Sequence, residues 1–125
     1  MKDFTSVPAG IYRCSVAEVR MGVTRAGDER WGLRLVVANG PYAGKLAAWD
    51  SLVFGRRGRV RARMVLQVLG LPKAGQVAIE PQDVEGRQAL VEVSPVEYAT
   101  PSGDVVRRNE VPYGGWSKLP QGGAS

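Results

Sequence analysis

The fold is decided by residues 46–72, which read LAAWDSLVFGRRGRVRARMVLQVLGLP. From Leu46 to Phe54, apolar residues recur at alternate positions, which is typical of a strand with one buried face. From Arg59 to Leu69 the apolar spacing becomes helical, Gly70 suits the C-terminal cap, and Pro72 prevents continuation of the helix. The apolar stripe of this predicted helix comprises Val60, Met64, Val65, Val68, Leu69 and Leu71. The stretch therefore predicts a strand, an arginine-rich loop and one helix.

Two strand patterns precede this stretch. Gly10 to Val23 alternates between apolar and polar residues but changes phase near Ala17-Glu18, which predicts a long strand with a bulge or sharp bend. Trp31 to Ala38 alternates without interruption, so Arg30 and Arg34 share one face while the tryptophan and the leucines share the other. These patterns predict the first and second strands of a sheet.

Two further strand patterns follow the helix. A polar, acidic connection over Gln76–Gly86 leads into a fourth strand around Ala89–Val93, and a fifth strand is predicted over Val105–Val111. The last stretch, Tyr113–Ser125, is rich in glycine and has little apolar content, which predicts a flexible tail. The sequence thus predicts one domain, residues 1–112, followed by that tail.

The order of these elements favours one fold class. Three strands, a helix and two more strands predict a mainly β protein, namely a five-stranded OB-like barrel with one helix between strands 3 and 4. In OB-folds the second and third strands and the adjoining loops bind oligonucleotides or oligosaccharides. Another small β-barrel, or a β-sandwich with a surface helix, is the alternative arrangement.

The composition excludes much of the usual catalytic chemistry. The chain has 125 residues, of which 44% are hydrophobic, with no histidine and a single cysteine. Without histidine there is no Ser–His or Cys–His pair and no histidine metal ligand. Cys14 shares the apolar phase of the first strand, so we expect a buried structural thiol. The sequence therefore predicts a protein that is not an enzyme and uses no metal or cofactor.

The sequence carries no pattern of a membrane segment or a signal peptide. No apolar run approaches the roughly 20 residues that span a bilayer. The first residues also lack the apolar region of a signal peptide. We therefore expect a cytoplasmic protein without a membrane partner.

The basic residues are unevenly distributed along the chain. Lys and Arg number 17 against 12 acidic residues, and 13 of the 17 are Arg. One cluster within eight positions contains no acidic residue and comprises Arg56, Arg57, Arg59, Arg61 and Arg63. Arg107 and Arg108 form a second cluster. Because the arginine fork binds phosphate bidentately, the pattern indicates an anion-binding surface, with a solvated helix face as the alternative for the first cluster.

Several aromatic residues lie beside these cations in the sequence. Arg30 precedes Trp31, Lys45 follows Tyr42, and Trp49 lies between Lys45 and the arginine-rich loop. Proteins that bind single strands without sequence preference combine cations for the backbone with aromatic rings for the bases. The predicted nucleic-acid-binding residues are Arg30, Trp31, Arg34, Tyr42, Lys45, Trp49, Arg56, Arg57, Arg59, Tyr98, Arg107 and Arg108. Core packing is the alternative role for the aromatic members, above all for Trp31.

The orientation of the third strand decides the role of Trp49. Four apolar residues share one face of that strand with Asp50: Leu46, Ala48, Leu52 and Phe54. If that face is buried, Trp49 points outward and the Asp50 carboxylate points inward, where an unpaired charge is costly. If the opposite face is buried, Trp49 belongs to the core. The four apolar residues favour the first orientation, so we expect Trp49 to be exposed.

A series of short motifs also resembles a known family. In order, the motifs are Phe4-x-x-Val7-Pro8-x-Gly10-x-Tyr12, Gly27 before Trp31-x-Leu33-x-Leu35, Gly40-x-Tyr42-x-Gly44-Lys45, Trp49-Asp50, Leu66-x-x-Leu69-Gly70-Leu71 and Glu85-Gly86-Arg87. Over roughly residues 4–113 the chain resembles small phage-encoded proteins of replication and recombination gene clusters. That family is regarded as single-stranded DNA-binding with an OB-like fold. The resemblance implies a function in phage or prophage DNA replication or recombination, in the cytoplasm of the host.

The sequence leaves several properties open. It does not separate single-stranded DNA from RNA as the partner, and free edge strands leave homo-oligomers possible. The alternative function is an OB-like protein-interaction or structural module of a phage assembly. The chain ends Gln121-Gly122-Gly123-Ala124-Ser125 without the acidic tip of common bacterial single-stranded DNA-binding proteins, so recruitment through such a tip is not expected.

Overall fold

A computed structural model describes residues 1–120 as seven strands and two short helices. The elements are β1 Lys2–Asp3, β2 Gly10–Val23, β3 Glu29–Val37, β4 Leu46–Val53, α1 Arg59–Val68, α2 Pro81–Val84, β5 Gln88–Ala99, β6 Val105–Glu110 and β7 Trp116–Ser117. All strands belong to one mixed sheet in the order β1-β6-β5-β2-β3-β4, with β7 paired to β5. The prediction of a mainly β protein is confirmed. Neither helix in this part of the chain is long and apolar enough to cross a membrane.

The sheet is open, which corrects the prediction of a five-stranded barrel with one helix. Strands β2 to β6 correspond to the five predicted strands, whereas β1, β7 and α2 were not predicted. Within residues 1–120, β4 pairs only with β3, and β1 runs parallel to β6 along an edge of that strand. The unpredicted elements are only two to four residues long. Segments of this length are too short to display a hydrophobic period.

A bulge in β2 carries the phase change that the sequence predicted. The register between β2 and β3 shifts between Val16 and Glu18, as an extra residue in one strand requires. Before the bulge, Val16 is buried. Beyond it, Glu18 pairs with Arg34 and Arg20 pairs with Gly32. The bulge therefore places Glu18 and Arg20 on the outer face of the sheet, beside the polar positions of β3.

The helix α1 packs on the inner face of the sheet mainly through the predicted stripe: Val65, Leu69 and Leu71 are buried, and Met64 and Val68 pack against the core partly buried. Its buried residues are Ala62, Val65 and Leu66, and they join the core formed by the inner face. Val60, predicted in the apolar stripe, is 67% exposed. Arg61 of this helix also turns toward the sheet, where its guanidinium meets the Asp50 carboxylate of β4. The predicted cap is confirmed: Gly70 has φ +84° and the Leu71 N–H donates to the Leu66 carbonyl at 2.8 Å.

Residues 113–120, part of the predicted flexible tail, contain a short strand and a core residue. Trp116 is 5% exposed and belongs to the core, and it pairs with Val91 of β5 through β7. The predicted domain boundary at residue 112 therefore lies before the last strand. The remainder of the predicted tail, Gln121–Ser125, lies outside the described residues.

Candidate nucleic-acid interface

An open groove of about 770 Å³ lies between β4 and β6. Its walls carry side chains from β2, β3, β4 and β6 and from the segment that follows β1. The cations in its lining are Arg20, Arg30 and Arg108, and the aromatic residues are Phe4 and Trp49. The volume lies within the roughly 300–1,000 Å³ typical of ligand pockets. The groove thus combines the two residue types that contact backbone phosphates and bases.

Trp49 points outward from β4, as the sequence led us to expect. Its neighbours Ala48 and Leu52 are buried in the core, whereas Trp49 is 37% exposed. The Cε3–Cζ3 edge of its indole lies over Gly32 of β3, where an added Cβ would be 3.8 and 3.9 Å from those two atoms. Because residue 32 has no side chain, the indole lies close to the backbone of the sheet.

Arg20 covers one face of the Trp49 ring. Its Cζ atom is 4.7 Å from the ring centroid, within the range of a cation–π contact. The same side chain forms an ion pair with Glu18, with its Nε atom 2.8 Å from the carboxylate, and it remains 66% exposed. Arg20 was missed among the candidates. The phase change near residue 17 could have identified it, because that shift places Arg20 on the outer face.

Arg30 and Arg108 supply the other positive charges of the groove. Both side chains are exposed, and neither forms an ion pair within residues 1–120. The Cζ atom of Arg108 also lies 5.7 Å from the ring centroid of Tyr98, which is 40% exposed. The predicted residues Arg30, Tyr98 and Arg108 are thus accessible at or beside the groove.

Asp50 lies on the inner face of β4, where the Arg61 guanidinium compensates its negative charge. Its Oδ2 atom accepts a hydrogen bond from Arg61 Nη2 at 2.8 Å and another from Trp116 Nε1 at 2.8 Å. The side chains of Asp50 and Arg61 are only 11% and 15% exposed. Arg61 also donates to the Tyr113 carbonyl at 3.2 Å. Asp50, Arg61 and Trp116 form an inner polar cluster, and Arg61 is therefore not free to bind phosphate.

Two predicted aromatic residues lie outside the groove. Trp31 is 5% exposed, packs edge-on against Phe54 at 4.7 Å between ring centroids, and donates from Nε1 to Glu29 at 2.9 Å. This burial removes Trp31 from the candidate site, because no base can reach its ring. Tyr42 is half-buried against Tyr12, with ring centroids 5.9 Å apart, and does not line the groove.

Three predicted cations lie near the groove without lining it. Arg34 pairs with Trp49 across the β3–β4 ladder and is half-buried on the outer face. Lys45 is exposed immediately before β4. Arg107 points away from Arg108, since neighbouring strand residues face opposite sides, and lies 3.5 Å from the Asp3 carboxylate. Arg107 thus contributes to holding β1 on β6, a role that the sequence did not predict.

The arginine-rich loop lies next to one end of β4. Arg56, Arg57 and Arg59 are exposed, and none of them forms an ion pair within the described chain. A Cβ at Gly55 would overlap the Asp28 carboxylate, so the loop packs tightly on the β2–β3 turn. The loop begins two residues after Val53, the strand partner of Arg30. These three cations therefore extend the positive surface beyond the groove.

The reactive side chains of the described residues are dispersed or buried. Burial raises the pKa of the Cys14 thiol to about 11, so that it is protonated at neutral pH. Across residues 1–120, no three His, Cys, Asp or Glu side chains gather into a group that could hold a metal ion. The groove lining itself offers guanidinium groups for ionic contacts and aromatic rings for stacking.

Comparisons with known proteins give no family for this chain. No protein-family model matches the sequence, and no curated protein matches it. The groove, with its cations and its exposed rings, is therefore the structural feature that bears on function.

Proposed function

We propose that this protein binds single-stranded DNA without sequence preference and catalyses no reaction. The groove between β4 and β6 supports this function best, because it presents the exposed Trp49 ring among Arg20, Arg30 and Arg108. Arginines neutralise phosphates, and a flat ring stacks on any base, since every base has a π-face.

A single strand fits this arrangement better than a duplex. The Trp49 ring lies in a groove between two strands and close to the backbone of Gly32. Stacking on it requires a base whose face is free, whereas the bases of a duplex are already stacked on each other. Duplex DNA could contact only the cations at the groove rim, so its binding would be purely electrostatic.

The proposal includes an OB-like fold in an open form. The pairs β2–β3, β3–β4, β2–β5 and β5–β6 are all antiparallel, and α1 lies between β4 and β5 in the chain. On this alignment β3 and β4 are the second and third OB strands, whose face binds oligonucleotides in that fold. Arg30 and Trp49 belong to these two strands, which supports the assignment of the groove as the ligand site.

The biological setting and the choice of DNA over RNA rest on the resemblance given by the sequence motifs. A function in phage or prophage DNA replication or recombination, in the host cytoplasm, is the setting of the proteins that this chain resembles. The motif Trp49-Asp50 belongs to that resemblance. Its two side chains lie on opposite faces of β4: Trp49 lines the groove and Asp50 belongs to the inner polar cluster.

The direct test is a titration of labelled oligo-dT, oligo-rU and a duplex of equal length at two salt concentrations. We expect oligo-dT to bind more tightly than the duplex. We also expect the logarithm of its affinity to fall with the logarithm of salt by about 0.7 per phosphate contacted. Equal affinity for oligo-dT and duplex would contradict the proposal, and tighter binding of oligo-rU would assign the groove to RNA.

A pair of variants connects the binding to the groove. Arg30→Ala with Arg108→Ala should weaken binding of all oligonucleotides and reduce the salt slope by at most about 1.4. The matched control is Arg25→Ala with Lys73→Ala, which removes the same charge from two exposed residues outside the groove lining. The control should reduce the salt slope of binding less than the groove variant does. An equal reduction in both would indicate that binding responds to the net charge of the protein alone.

A second candidate function is a protein-interaction module of a phage assembly. The observation that favours it is the second edge of β4, which pairs with no strand in residues 1–120 and could accept a strand from another chain. Measurement of the protein's mass in solution, beside the titration, separates the two functions. Absence of oligo-dT binding together with a salt-insensitive assembly would favour this second candidate.

A further inference from the structure

The segment between β1 and β2 is attached to β6 by two hydrogen bonds of its backbone. The Phe4 N–H donates to the Arg107 carbonyl at 2.8 Å, continuing the parallel pairing of Asp3 with Arg107. Three residues later, Val7 is 4% exposed in the core, and its carbonyl accepts a hydrogen bond from Asn109 Nδ2 at 2.9 Å. Phe4 is therefore held in place from both sides.

Within this fixed segment the Phe4 side chain is left in solvent. It is 57% exposed, yet it lines the groove between β4 and β6. Its ring does not belong to the core, in contrast with Val7 only three residues away. A fixed backbone that directs an aromatic ring into a groove offers a stacking surface at low cost in conformational entropy.

We infer that Phe4 is a second base-stacking residue, which contacts one base of a single strand while Trp49 contacts another. The inference rests on the proposed function and adds a residue to its site. Phe4 and Trp49 reach the same groove from different segments, Phe4 from the residue that follows β1 and Trp49 from β4.

The charge around Phe4 favours a nucleic acid strand over an apolar partner. Continuation of the β1–β6 register brings Phe4 level with Arg108, which carries no ion pair within residues 1–120. Arg20 and Arg30 also belong to the groove lining. Glu18 already pairs with Arg20, and Glu110 also lines the groove, but Arg30 and Arg108 form no ion pair within residues 1–120. An apolar partner would have to bury these two guanidinium groups, whereas a single strand brings a phosphate with every base.

The test compares Phe4→Ala, Phe4→Leu and Phe4→Tyr in the full chain, with oligo-dT and an abasic oligonucleotide of the same length as ligands. Phe4→Ala and Phe4→Leu should bind oligo-dT about 5- to 150-fold more weakly, the range expected for loss of one base stack. The salt slope should not change, since no phosphate contact is lost. Binding of the abasic strand should stay the same, and Phe4→Tyr should bind as the unaltered protein does.

The control is Ile11→Ala, which removes an apolar side chain of similar exposure, 67%, from β2 outside the groove lining. This variant should bind oligo-dT normally. Phe4→Leu retains apolar bulk, so it keeps the test decisive if Phe4→Ala fails to fold.

The outcomes separate this inference from the proposed function. If the unaltered protein does not bind oligo-dT, the proposed function fails. If it binds and Phe4→Leu binds equally well, only the role of Phe4 is overturned. An equal loss for the abasic strand would also overturn it, because Phe4 would then act by shaping the groove. A decrease in the protein's mass in solution on substitution would instead assign Phe4 to a contact between copies of the chain.

Discussion

Arg20 and Arg61 each contact an aromatic ring and a carboxylate, but Arg20 is exposed to solvent and Arg61 is largely buried. Arg20 lies over the Trp49 ring and beside Glu18, with a side chain that is 66% exposed. Arg61 approaches the Tyr113 ring, at 5.8 Å, and pairs with Asp50, but its side chain is only 15% exposed. The first arginine belongs to the groove and the second to the inner polar cluster.

Burial decides what each of these arginines can do. Ion pairs at the surface contribute about 0–1 kcal/mol, so a phosphate can replace Glu18 as the partner of Arg20 at small cost. A buried pair is difficult to break, because removal of one partner leaves an uncompensated charge away from water. The groove is therefore suited to exchange of partners, whereas the inner polar cluster is suited to holding α1, β4 and the C-terminal segment together.

The largest expected effect comes from removing the acid of the inner polar cluster. Asp50→Ala leaves the Arg61 guanidinium buried without a counter-charge and removes the acceptor of Trp116 Nε1. We expect it to lower the free energy of unfolding by about 3–5 kcal/mol, measured by denaturant titration.

The matched control is Arg20→Ala, which removes the other arginine of the comparison. It should change the free energy of unfolding by no more than about 1 kcal/mol, because its ion pair is exposed. Similar losses for Asp50→Ala and Arg20→Ala would show that the two regions do not differ as described.

An intermediate effect is expected for Trp49, the sequence neighbour of Asp50 on the other face of β4. Trp49→Ala should weaken oligo-dT binding by about 1–3 kcal/mol, the contribution of one stacked base. Its cost in stability should fall below the about 3–5 kcal/mol expected for Trp116→Ala, since Trp116 is a core residue. Binding and the melting temperature are measured on both variants. A melting temperature as low for Trp49→Ala as for Trp116→Ala would refute the stacking role.

The smallest effect concerns the extent of the outer positive surface. Arg56→Ala with Arg57→Ala should leave the free energy of unfolding within about 0.5 kcal/mol, because both side chains are exposed. The salt slope of oligo-dT binding should fall by at most about 1.4, as two phosphate contacts are lost. An unchanged affinity and slope in the folded variant would restrict the binding surface to the groove.

The sequence predicted those features that depend on neighbouring residues. The phase change near Ala17 predicted the bulge of β2, and four apolar residues on one face of β4 predicted the outward orientation of Trp49. Gly70 and Pro72 predicted the end of α1. Arg30, Trp49 and Arg108 of the candidate site followed from the same local patterns and line the groove.

The features that the sequence did not predict depend on contacts between distant segments. Asp50 and Trp116 are 66 positions apart, so no local pattern indicates that the indole N–H reaches the carboxylate. For Trp31 the sequence left two roles open, a base contact beside Arg30 and core packing on the apolar face of its strand, and its burial against Phe54 decides for the core.

The sequence by itself thus determined the long strands, the helix, the bulge and the alternation that places Trp49 opposite Asp50, because a strand period of two fixes relative faces. The tertiary structure alone decided that the sheet stays open, that β1 occupies an edge of β6, and that Phe4 and Arg20 join Trp49 in one groove. It also decided that Arg61 is held in a buried ion pair, whereas Arg30 and Arg108 form no ion pair within residues 1–120. The energetic cost of a charge depends on its burial and its partners, and a linear sequence pattern contains neither.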